Sequence, residues 1–213
     1  MSAPGRPKRE LAPKRASAKG SRVRFAAFPV AILAFVATSS AGAAGLTLDA
    51  LMNALRAVPA RHATFEETRQ MAVLNAPLVR RGTLDYVRPS RLEMRVTAPR
   101  PEHLVIEGSR LSVERGGEVT VVDLAAQPML AAWIESLRAT LAGDAASLIA
   151  HFDVSLTGTL AAWHLTLVPR DENLRNVIAS VDIDGHQGEP TRFAIDGLRG
   201  DSTVITIAPS RPS

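Results

Sequence analysis

The residue types that most often carry chemistry are sparse and scattered in this chain. His62, His103, His151, His164 and His186 share no spacing that would gather them on one metal ion, and there is no cysteine. No nucleophile elbow of the form G-x-S-x-G, phosphate-binding glycine loop, H-E-x-x-H helix or dinucleotide fingerprint occurs. Asp182-Ile183-Asp184-Gly185 opens like a calcium loop but lacks the later oxygen ligands and the closing Glu, so it reads as a strand ending in an Asp-Gly turn. Arg199-Gly200-Asp201 likewise reads as a turn. His164, flanked by Trp163 and Leu165, alternates to the solvent side. The expectation is a protein that is no enzyme and needs no metal or cofactor.

A few charged residues nevertheless break the pattern of their neighbours. In Gly82-Thr83-Leu84-Asp85-Tyr86-Val87-Arg88-Pro89, Arg88 falls by parity on the face of Leu84 and Tyr86. A guanidinium on an apolar face is costly unless carbonyls or carboxylates receive its protons. The alternative is an arginine at a strand end that reaches past the rim. Glu67 and Arg69 share a face with Phe65 and pose the same question. An apolar interior holding a few polar groups suits a cavity better than a sealed core.

The elements that must position these residues are mostly strands. Thr47 can cap a helix carrying Leu48, Leu51, Met52, Leu55 and Val58 at helical spacing, with Pro59 stopping it. The period then changes to two. Residues 91–97 alternate without error, and strand signals cover about 62–71, 78–88, 102–108, 110–115 and 118–124. After a break they resume over about 152–156, 161–167, 177–183, 190–197 and 202–208. Gly116-Gly117 reads as a tight hairpin turn. The break holds Met129, Leu130, Trp133, Ile134, Leu137 and Leu141 as a helical stripe after Pro128, closed by Gly143. Asp144 can cap a short helix through Ala150. The plan is one helix, six strands, a helical pair and five strands. Short turns make the sheet antiparallel, and one-sided strands close into a barrel or half-barrel with helices on the apolar face.

Charge is divided along the 213 residues. Residues 1–24 hold eight basic side chains against one acidic, whereas the remainder holds 17 arginines, no lysine and 20 acidic residues. The high isoelectric point therefore belongs to one end, which argues against nucleic-acid binding by the folded part. The basic stretch runs into 13 apolar residues, 25–37, then small residues with Ala41-Gly42-Ala43. That layout predicts a secretory signal over 1–43 with a long basic lead. Thirteen helical residues span only about 20 Å, short of a bilayer core. Residues 44–213 should form a single soluble domain without disulfides or an acylated cysteine, in the periplasm.

Further residues carry a likeness to a known family. Ala63-Thr64-Phe65-Glu66-Glu67-Thr68-Arg69, Leu74-Asn75-Ala76-Pro77-Leu78, the 82–89 segment, the strand from Arg91, the Pro99 turn and Gly108-Ser109-Arg110-Leu111 follow one another as in the LolA-like family of periplasmic lipoprotein carriers. The chain resembles that family over its whole mature part. The resemblance implies a mainly β fold, an unclosed antiparallel barrel of about eleven strands covered by a helical lid. It implies a monomer that holds lipid or the acyl chains of lipoproteins in its hollow. An inner-membrane transporter would load it and an outer-membrane acceptor unload it, in outer-membrane biogenesis. In the family, an arginine before the proline that ends the second strand bonds to the lid, and Arg88 stands at that position. The expected lid and cavity residues are Arg88, Phe65, Leu84, Tyr86 and Met94 of the sheet, with Leu51, Leu55, Trp133, Ile134 and Leu137 from the helices. An alternative is a non-enzymatic lipid sensor or accessory subunit of an envelope transporter.

Overall fold

The computed structural model describes residues 45–209; the expected signal segment, 1–43, lies outside them. Helix α1, Leu48–Arg56, begins where the Thr47 hydroxyl accepts from the Ala50 N–H at 3.2 Å and buries Leu51, Met52 and Leu55. Six strands follow: β1 (Ala60–Gln70), β2 (Leu78–Val87), β3 (Arg91–Ala98), β4 (Glu102–Glu107), β5 (Arg110–Arg115) and β6 (Glu118–Asp123). A 3-10 turn at Leu124–Ala126 leads into α2 (Pro128–Ala142) and α3 (Ala145–His151). Then come β7 (Phe152–Thr159), β8 (Ala162–Pro169), a one-turn α4 (Glu172–Arg175), β9 (Ile178–His186), β10 (Glu189–Gly197) and β11 (Ser202–Pro209).

All eleven strands form one antiparallel sheet in the order β6-β5-β4-β3-β2-β1-β11-β10-β9-β8-β7. Chain-adjacent strands pair within each half, β1–β6 and β7–β11, and the two halves join where β1 meets β11 in register, Phe65 opposite Ile207. No pairing joins β6 to β7, so the barrel is not closed. The alternation of each strand sends one set inward. Phe65, Leu84, Tyr86, Leu92, Met94, Ile106, Leu165, Val181, Ile183, Phe193 and Ile205 share one buried cluster with the helical side chains. Trp163 is 3 % exposed while its neighbour His164 keeps a partly open side chain between Asp182 and Asp184. None of the helices among the described residues is long and apolar enough to cross a membrane.

The helices pack as a layer over that cluster. Helix α2 contacts α1, α3, α4 and β9. Gly143 ends α2 in the left-handed conformation, φ +68°, and a Cβ there would lie 2.2 Å from the Met52 carbonyl of α1. Glycine is therefore required twice over, by backbone and by space. Gly188, in the β9–β10 turn, meets α1 as closely: its added Cβ would lie 2.4 Å from the Ala54 carbonyl. The helical layer is thus drawn against the sheet at one seam.

Candidate functional site: the lid seam

At this seam the C-terminal ends of α1 and α2 meet the start of β1 and the β9–β10 turn. The residue at its centre is Arg61, the second residue of β1. Its side chain is only 9 % exposed. Nη1 donates to the carbonyls of Val58 (3.3 Å) and Leu141 (3.0 Å), and Nη2 to those of Leu55 and Gly188 (both 2.9 Å). Leu55 and Leu141 belong to the last turns of α1 and α2, whose carbonyls have no partner within their helices and carry the negative end of the helix dipole. One guanidinium thus holds both helix ends and the sheet turn together.

The planar fork suits this task, because four carbonyls can be met at once. Nε–H receives no hydrogen bond acceptor among the described residues; the nearest carboxylate oxygen, Glu189 Oε2, is 3.6 Å away. Burial pushes Arg61 below the ordinary arginine range, and the nearby Glu189 carboxylate opposes that shift. The guanidinium also lies 5.8 Å from the centroid of the Tyr86 ring. Tyr86 is fully buried, its hydroxyl donating to the Pro89 carbonyl at 3.2 Å, and burial raises its pKa. Two further arginines reinforce the seam. Arg56 Nη2 donates to the Gly143 carbonyl at 2.6 Å, and Arg88 Nη1 donates to the Arg56 carbonyl at 2.5 Å.

Arg88 therefore reaches α1, but from outside. Strand β2 ends at Val87, so strand parity no longer governs the next residue, and the Arg88 side chain is exposed instead of inward. The inward arginine is Arg61, which sequence reasoning missed because the strand was expected to start at residue 62. Extended by two residues, the alternation Arg61, Ala63, Phe65, Glu67 would have placed it on the buried face. Arg91 lies on the polar side, paired with Glu107 and Glu93.

The other expected residues fall in two layers. Phe65, Leu84, Tyr86 and Met94 are buried on the sheet's inner face, and Leu51, Leu55, Ile134 and Leu137 are buried beneath the helices. Trp133 is partly buried against the same cluster, and its Nε1 is buried with no partner among the described residues. A cleft of about 300 Å³ opens at the seam beside Arg61, Tyr86, Leu141, His186 and Glu189. A second, of about 470 Å³, runs under α2 between Leu124, Ile134, Arg138 and Phe152. Far from the seam, the inner face turns polar. Glu67, 2 % exposed, pairs with Arg80 at 2.5 Å and Arg69 at 3.3 Å; Arg80 reaches Glu102 at 3.3 Å, and Glu102 pairs with Arg115 at 2.9 Å. This chain of ion pairs crosses from β1 to β5.

An open antiparallel sheet with its apolar face under a helical layer agrees with the match to a family model. The model, described as outer membrane lipoprotein carrier protein LolA-like, covers residues 40–208. The chain belongs to the LolA-like family. Solved structures similar to it include a LolA superfamily protein from Nitrosomonas europaea, at 9% identity and TM-score 0.40, covering 79% of this chain and 95% of that one. The lipoprotein LppX of Mycobacterium tuberculosis is similar at 10% identity and TM-score 0.43, covering 76% and 92%. The MucA/MucB complex of Pseudomonas aeruginosa is similar at 14% identity and TM-score 0.40, covering 78% and 57%. Among curated proteins no match is found. Within this LolA-like chain, the four histidines of the described sheet do not converge. His62 pairs with Asp85, His103 with Glu93 and Glu114, and His164 with two aspartates, each on its own patch of strand, while His186 lines the seam cleft. Among the described residues no group of three metal-ligating side chains is close enough to hold an ion.

Proposed function

We propose that the protein is a non-enzymatic periplasmic carrier that takes acyl chains of lipids or lipoproteins between the sheet and the helical layer. The observation that carries this reading is the seam. The helices cover an apolar face, and polar bonds from Arg61, Arg56 and Arg88 fasten them at one end. With the helices seated, the lid residues Leu51, Leu55, Ile134 and Leu137 cover the apolar face of the sheet. Lifting the helices would expose both surfaces to water, and an acyl chain would cover them again, each buried methylene contributing about 0.8 kcal/mol.

Two opposed terms then set occupancy. Acyl burial favours the open, loaded state, while re-forming the seam bonds favours closure and release. Loading therefore needs a membrane transporter and unloading an acceptor, and residues 1–43 would export the chain before either step. Transfer of a labelled acyl lipid between donor and acceptor vesicles tests the reading. Net transfer that scales with protein supports it. Binding without transfer, together with a stable complex with one membrane protein, would instead support an accessory or lipid-sensing role.

A further inference from the structure

The end of the sheet opposite the seam carries a different surface. Strand β1 runs eleven residues away from the lid, about 35 Å at strand rise. There the β1–β2 loop, 71–77, and the β10–β11 turn, 198–201, lie side by side. The Asp201 carboxylate accepts from the Ala72 N–H at 2.8 Å, and Gly200, at φ +80°, faces the Ala72 methyl. The two loops make one surface. On it Val73 is 82 % and Leu198 57 % exposed, and Leu74, Leu78 and Val79 are exposed beside them. Half of the large exposed apolar side chains of the described residues gather here, so this is not the scatter of single apolar residues that ordinary surfaces carry.

Charge at this end distinguishes the occupant. Arg69, Arg80, Arg81 and Arg115 are each paired with Glu66, Glu67 or Glu102. Arg199, in the turn itself, and Arg100, in the β3–β4 turn at the same end of the sheet, are exposed with no carboxylate of the described residues within 4.0 Å. Asp201 keeps its charge but turns its carboxylate onto the Ala72 N–H, Asp196 stands back in β10, and Glu118 stands apart on the edge strand β6. Apolar side chains on convex turn tips offer little area for a complementary protein face, which needs on the order of 800 Å² per partner. They suit a fluid interface, into which a few side chains can sink while arginines meet phosphates.

We propose that these joined loops dock the protein on an anionic phospholipid bilayer, with Val73, Leu74 and Leu198 in the interface and Arg100 and Arg199 facing lipid phosphates. This docking is independent of whether the hollow takes a lipid. The chain has no cysteine, so Val73→Cys carries a single environment-sensitive dye, and Val87→Cys, exposed at the opposite, seam end of β2, is the control. With phosphatidylglycerol vesicles the dye at position 73 shifts to the blue and is quenched by spin-labelled acyl chains, while the dye at 87 is unchanged. Replacing both arginines, Arg100→Gln with Arg199→Gln, should weaken the response about fivefold per arginine at low salt. Phosphatidylcholine vesicles should give a much weaker response. A local dye separates these loops from any binding by the basic residues 1–24. Equal responses at both positions, or none at 73 while the protein sediments with vesicles, overturn the proposal. So does a shift produced by a protein fraction and not by vesicles.

Discussion

The guanidinium of Arg61 lies 5.8 Å over the ring of Tyr86, a charged group resting on the apolar side chain at the heart of the core. The pair shows how the seam reconciles burial with charge. Tyr86 offers a π face and the helix ends offer carbonyls, so this buried positive charge is met on all sides but one. Its remaining N–H faces Glu189, a half-exposed carboxylate at the mouth of the seam cleft.

Arg61→Met removes the fork from four carbonyls, of which that of Leu55 keeps the Val58 N–H at 3.3 Å. Unfolding free energy should fall by about 3 kcal/mol, because buried carbonyls lose a charged donor, and amide exchange should quicken in the last turns of α1 and α2. Arg61→Lys should recover little of this, because an ammonium cannot span the four acceptors. Denaturant titration with hydrogen exchange checks both. Unchanged exchange in those turns would show that the helices are held elsewhere.

In the proposed carrier the seam also governs release. Returning to the closed state re-forms the arginine bonds, so losing them should slow acyl release and tighten binding. Arg61→Met should do so by tenfold or more and Arg88→Leu by a few-fold, since Arg88 gives a single exposed bond to the helix. Arg91→Leu, on the outer face, should leave release unchanged. Stopped-flow release of a fluorescent fatty acid measures all three, and an effect of Arg88 larger than that of Arg61 would reverse the assignment.

How much of this was legible in the sequence depends on which element is asked. The strands from residue 78 to residue 123 were readable nearly to their ends, because β3 alternates throughout and each turn carries Gly or Pro. So was the break between the two runs of strands, because Pro128, Gly143 and Asp144 mark it. Helix α4 was not: four residues, Glu172–Arg175, carry too little periodicity to register. The inner residues followed from parity wherever strand bounds were right. Arg61 and Arg88 show the failure. Both sit at strand ends, where an error of one or two residues decides which guanidinium turns inward, and no local pattern says that two helix ends will converge there from 80 residues away.

Acid should loosen the lid through Asp144. Its carboxylate caps α3, accepting from the Ser147 N–H at 3.1 Å and hydroxyl at 2.8 Å. The Ser147 backbone bond foremost, then the hydroxyl bond, holds the Asp144 pKa below the usual aspartate value, against some desolvation. A depressed folded-state pKa adds stability that is present above the unfolded value, near pH 4, and is lost as pH falls through the folded value. Asp144→Asn keeps a cap without the titration. Wild type should be more stable by about 0.5–1 kcal/mol at pH 7, and the two should converge near pH 2. A pH-independent gap in their unfolding curves would remove the charge from the explanation.

In the proposed carrier an acyl chain lies between the sheet's apolar face and the lifted helices. Native mass spectrometry of protein purified from its native host without detergent tests this most directly, paired with uptake of a fluorescent fatty acid by the delipidated protein. The account predicts a bound mass of acyl lipid that denaturation releases, and uptake that Arg61→Met strengthens. Protein that carries no lipid and takes up no fatty acid would contradict it.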